Sequence, residues 1–134
     1  IKTLHFCYQT GKTKKKNQPA DLKRLTAIHE ALERYANVGD PDGFFEANQE
    51  FHSVVQELAG NRWLQQLIDD TRKMLRLTRR DSLRLEGRLK QSLAEHRAIL
   101  DALLKGDAAA AGQAMHDHLL SGRKALVKLR IRKA

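Results

Sequence analysis

Between Phe44 and Asn61 the chain reads FFEANQEFHSVVQELAGN. Apolar residues return there every three or four positions, the period of a helix with one buried face. The stretch predicts a helix of about four turns that stops at Gly60-Asn61. Phe44, Phe45, Phe51, Val55, Leu58 and Ala59 mark its buried side. His52 follows Asn48 by one turn, so the two polar side chains stack on that same face. A histidine and an asparagine inside an apolar core cost free energy unless they find partners. The fold therefore has to close around a polar site at this point, and two later helices offer His96 and His118.

A chain of 134 residues makes one domain with room for a real core. Leu, Ala, Arg, Lys and Glu dominate while aromatic residues are few, which predicts an all-α protein. No run of about 18 apolar residues occurs, so no membrane span is expected. IKTLHFCYQT lacks the apolar stretch of a signal peptide, and the single cysteine, Cys7, has no partner for an internal disulfide. A cytoplasmic protein is the expectation. The net charge of +9 is unevenly spread. Residues 1–20 carry +5 and residues 121–134 carry +6, whereas residues 21–120 carry −2. The body is nearly neutral and unlike a nucleic-acid-binding surface.

Residues 1–18 read as a basic segment of undefined structure. KTKKK suits a solvated tail or a phosphate-contacting one. Gly11-Lys12-Thr13 resembles the end of a phosphate-binding loop, but that loop needs a glycine at position 6, where Phe stands. The helical domain spans residues 19–134. Its first helix runs from Pro19 to Ala36, with Leu22, Leu25, Ile28, Leu32 and Tyr35 inward and His29 at the edge of that stripe. VGDPDG makes a turn, and Asp42 is the expected cap of the second helix. A third helix is expected from Arg62 to Leu83, with Leu64, Leu67, Ile68, Thr71, Leu75 and Thr78 inward. Arg72 and Arg79 flank that stripe and are the arginines best placed to reach inside, where a guanidinium can grip a carboxylate. They are equally able to snorkel along a solvated face. After Gly87 a fourth helix runs from Leu89 to Leu104, with His96 inside its stripe. A fifth starts at the cap Asp107 and carries His118 inward and His116 outward, ending in a frayed RIRKA. The whole predicts an all-α antiparallel helical bundle of about five to six helices.

Three histidines on three helices thus share one interior. Converging neutral imidazoles can hold a divalent cation, at ~2.0–2.1 Å for zinc. His52, His96 and His118 would give nitrogen ligands and Asn48 a carbonyl oxygen. A hydrogen-bonded polar core is the other reading. Enzyme motifs are absent. His29-Glu30 is followed by Ala31-Leu32-Glu33 rather than the HExxH of zinc proteases. The residues three before His52, His96 and His118 are Gln49, Leu93 and Met115, so the ExxH pairs of di-iron bundles are missing. Glu95 adjoins His96 but is expected to point to a different face, leaving no general base.

The motifs occur in a set order: N-x-x-F-H from Asn48 to His52, A-G-N from Ala59 to Asn61, E-H-x-x-I-L from Glu95 to Leu100, Gly106-Asp107, and A-M-x-x-H-L from Ala114 to Leu119. As a set, over about residues 19–128, they resemble the effector-binding FCD domain of FadR-type regulators in the GntR superfamily. The resemblance implies a ligand-sensing helical bundle that binds a small organic acid, commonly with a divalent metal inside. Zinc comes first, with nickel or manganese as alternatives. Carried over by position, the metal set is Asn48, His52, His96 and His118; Arg72 and Arg79, which come from the helix stripe and not from the resemblance, are the expected grip on the effector carboxylate. A homodimer is implied, and operator DNA is bound through a winged-helix domain. Two positions depart from the family pattern. Asn48 stands where the first metal ligand is often Asp, and a neutral carbonyl is the weaker donor. The stretch before residue 19 has no room for a winged helix, and the opening helix of the FCD fold is not recognisable in it. The competing reading is a metal-free helical interaction module whose basic ends bind an acidic partner or nucleic acid non-specifically.

Overall fold

The computed structural model describes residues 19–133. The basic segment 1–18 and Cys7 lie outside the described residues. Among the described residues there are six α-helices and no strand. They are α1 Pro19–Val38, α2 Pro41–Ala59, α3 Arg62–Met74, α4 Arg76–Ser82, α5 Arg88–Leu104 and α6 Ala108–Lys133. None is long and apolar enough to cross a membrane. The helices α1 and α2 form an antiparallel hairpin, α5 packs on α1, and α6 packs on α5 and α4. Helices α3 and α4 lie against α2.

The hairpin between α1 and α2 has a local cause. Gly39 takes a left-handed conformation with φ 69°, which an L side chain rarely adopts. Asp40 then caps α2, its Oδ1 accepting from the backbone N–H of Asp42 and Gly43 at 3.0 Å each. Such a cap is worth about 1 kcal/mol. The cap is thus Asp40 and not Asp42, because Pro41 supplies the first helical residue without needing a hydrogen-bond acceptor for itself. Asp42 is freed to pair with Arg80 at 2.7 Å and Arg84 at 2.8 Å, which fastens α4 and the following turn to the start of α2.

The core is made by α1, α2, α5 and α6. Leu25, Leu32, Phe44, Phe51, Val54 and Ile99 have no exposed surface. Burying each phenylalanine contributes about 2–3 kcal/mol, so the aromatic run of α2 anchors the helix that bears Asn48 and His52. His29, expected at the edge of its stripe, is buried.

The single helix expected over 62–83 is two helices. The chain leaves helical geometry at Leu75, with φ −95° and ψ 6°. Just before it, Thr71 Oγ1 donates to the Leu67 carbonyl at 2.8 Å, a back-bond that bends helices. The joint turns α4 along α2, where Arg76 reaches Glu46 at 2.9 Å. The inner stripe expected for this region is correspondingly incomplete: Leu64 is buried, but Leu67 is 61% and Leu75 41% exposed. At the other end the expected fraying is not seen through Lys133, to which α6 continues, while Ala134 lies outside the described residues.

Candidate functional site

Helices α2, α5 and α6 each direct one histidine to a common point. His52, His96 and His118 are all buried, and one ring nitrogen from each lies within 4.8 Å of the other two. The His52 and His118 rings stack at 5.1 Å between centroids, and His96 meets His118 edge-on at 4.5 Å. Phe51 packs its ring against His96 at 4.9 Å, which fixes the imidazole from the apolar side.

Hydrogen bonds set the tautomers. His96 Nδ1–H donates to the Ser92 carbonyl at 2.6 Å, so its Nε2 presents a lone pair. His118 Nδ1–H donates to Glu95 Oε2 at 2.7 Å, and its Nε2 likewise presents a lone pair. Glu95 is itself held by Arg88 at 3.1 Å, a buried guanidinium. A carboxylate behind a histidine is the usual outer support of a metal ligand, since it fixes ring orientation and raises basicity. Burial pushes His52 and His96 well below the ordinary histidine range. Burial also lowers His118, with Glu95 pulling the other way. All three are therefore neutral at pH 7, the form that binds metals.

A divalent ion fits this arrangement. His96 Nε2 is buried and has no hydrogen-bond partner, a costly state for a lone pair. His52 Nε2 and His118 Nε2 are 3.2 Å apart. Two nitrogens on one ion at ~2.1 Å each stand about 3.0–3.4 Å apart for octahedral to tetrahedral angles. Asn48 is buried one turn before His52 on α2.

A cavity of about 470 Å³ adjoins the histidines. Asn48, His52 and His118 form part of its wall, as do Arg72 from α3 and Arg79 from α4; His96 lies behind them. The two guanidinium groups converge on one neutral acceptor, Gln49 Oε1, at 2.6 Å and 3.1 Å. Neither is hydrogen-bonded to a carboxylate among the described residues. Burial pushes Arg72 down to about 9, with the Arg79 charge adding to the effect, and burial also lowers Arg79. Two half-buried cations sharing a neutral oxygen are residues that could hold an anion, because partly desolvated charge is costly until it is paired.

All six residues singled out in the sequence thus lie at or beside one cavity. The roles of three further residues, Glu95, Arg88 and Gln49, escaped the sequence reading. Glu95 does point away from His96, as expected, but the flank it occupies faces α6 and therefore His118. Arg88 lies seven residues before Glu95, on the same face of α5, and that spacing was its one signal. Gln49 gave no signal at all, since its partners lie on helices whose packing no local pattern reports. His116, expected to face outward, is partly exposed and bonds Asp117 at 3.2 Å.

No curated protein matches this chain. The profile of the FCD domain matches residues 13–121, a span that includes Asn48, all three histidines, both arginines and Glu95. FCD domains are regulatory domains of transcription factors and not an enzyme family. With its helical bundle and most of its length matched, the chain belongs to the FCD domain family.

Proposed function

We propose that the chain is the effector-binding domain of a GntR/FadR-type transcriptional regulator, with a divalent metal held by His52, His96 and His118 and aided by Asn48. Zinc suits three neutral imidazoles best, with nickel or manganese next. The bound ion supplies a Lewis-acidic position for an anionic oxygen. The chain's own residues do the rest. Glu95 holds the Nδ1 proton of His118 and so keeps its Nε2 turned to the site. Hydrogen bonds from His118 and Ser121, with the Arg88 charge beside them, keep Glu95 ionised, and Arg88 holds it in place. Arg72 and Arg79 grip the carboxylate of a small organic acid, which replaces the Gln49 oxygen as their partner. The observation that carries the reading is the orphaned His96 Nε2 behind a cavity whose two arginines share only a neutral amide.

Ligand binding shifts the population of helix packings, because the anion favours the arrangement that brings α3 and α4 to α2. A homodimer carries the shift to paired winged-helix modules on operator DNA. Gln49→Glu tests the anion site. A glutamate would satisfy both guanidiniums and compete with the effector. Butyrate titrated into the zinc-loaded variant is expected to bind about tenfold to a hundredfold more weakly than to the wild type, with the helical content unchanged. Equal butyrate affinity in the two proteins would remove Arg72 and Arg79 from the site.

A further inference from the structure

We propose that the effector is an amphipathic monocarboxylate whose apolar body, of about six to ten carbon atoms, fills the hydrocarbon part of the cavity. The inference rests on the reading above, in which the carboxylate sits at Arg72 and Arg79.

Size is the first argument. A cavity of about 470 Å³ lies in the range that holds drug-sized ligands. An acid of two to four carbons would leave most of it to water. Polarity is the second. The polar groups Asn48, His52, His118, Arg72 and Arg79 share one cavity wall, and both guanidiniums meet at Gln49, the residue after Asn48 on α2. Much of the remaining wall is hydrocarbon from Val55, Leu64, Ile68, Leu119 and Leu126. Water against such walls is unfavourable, and an apolar ligand body displaces it with gain.

The third argument is α3. It buries one residue, Leu64, yet it is strongly amphipathic, and it lines the cavity through Leu67, Ile68 and, at its joint, Leu75. Leu67 and Leu75 are largely exposed, so apolar side chains at the cavity wall stand in water. A ligand body between α3 and α6 would cover them. A small, fully polar acid would not. Arg123 also lines the cavity but sits exposed in solvent, where a second carboxylate would gain little.

The test is a chain-length series of acids titrated calorimetrically into the zinc-loaded chain: acetate, butyrate, hexanoate and octanoate, with suberate and 1-octanol beside them. Affinity is expected to rise about three- to fourfold per methylene, so octanoate should exceed butyrate by about a hundredfold. Suberate should bind less tightly than octanoate. Leu67→Gln, a change at an exposed position that the fold tolerates, should weaken octanoate about fivefold and leave acetate unchanged. A flat series, suberate binding above octanoate, or no binding by any acid would overturn the inference. The two layers separate cleanly. Octanol binding as tightly as octanoate overturns the carboxylate head. A flat series with acetate binding that Gln49→Glu still weakens overturns only the apolar body.

Discussion

Metal-free protein is expected to lose about 3 kcal/mol of stability as the pH falls from about 7.5 to about 5.5. His52 and His96 are the main cause, and buried His29, also lowered by burial, acts in the same direction. In the unfolded chain each takes up a proton near pH 6.5. In the fold, burial holds both well below that value. Below pH 6.5 the unfolded state therefore binds protons that the folded state does not, and stability falls as the pH drops. By about pH 7.5 almost no proton is bound in either state and the effect vanishes. By pH 5.5 each histidine accounts for up to about 1.4 kcal/mol, the ceiling set by its unfolded value. His118 adds less, because Glu95 supports its charged form. Urea unfolding in the presence of a chelator, followed by circular dichroism at the two pH values, measures the loss. Constant stability over that range would show that the histidines charge inside the fold, against the effect expected of their burial.

Glu95→Ala is expected to damage fold and site together. Glu95 is the partner of Arg88, whose side chain is only 6% exposed. Removing one member of a buried ion pair strands the other, at a cost of about 3 kcal/mol for a pair this incompletely buried. The same carboxylate orients His118. Loss of such an outer support weakens metal binding by about tenfold to a hundredfold. Glu95→Gln separates the two effects. The amide oxygen still accepts from His118 Nδ1–H, but the charge opposite Arg88 is gone. Urea midpoints should fall for both variants, while zinc affinity by chelator competition should fall more for the alanine. Unchanged zinc affinity in both would detach Glu95 from the site.

What the sequence made legible follows from the length scale of each interaction. Helical period alone placed His52, His96 and His118 in the interior, because burial of a helix face is written in residues three and four apart. The turn at Gly39-Asp40 was equally local, though the capping residue was misplaced by two positions: Pro41 cannot tell a reader which neighbouring aspartate precedes it in function. The break at Leu75 was not legible. No proline or glycine marks it, and the cause is a threonine back-bond together with arginines that reach acids on another helix. Gln49 was invisible for the same reason. Its role exists only where α3 and α4 return to α2, and no pattern within α2 reports that return. Glu95 lies between these cases. Its direction relative to His96 followed from the helix, whereas its bond to His118 required knowing that α6 lies alongside.

Metal content by elemental mass spectrometry decides whether His52, His96 and His118 hold an ion. Wild type and His96→Ala are purified side by side, incubated with zinc, nickel or manganese, and desalted. About one equivalent of divalent metal per chain is expected in the wild type and none in the variant, with zinc retained best. A folded wild type that retains none of the three ions would contradict it. The histidines would then be a hydrogen-bonded polar core, and the anion site would rest on Arg72 and Arg79 alone.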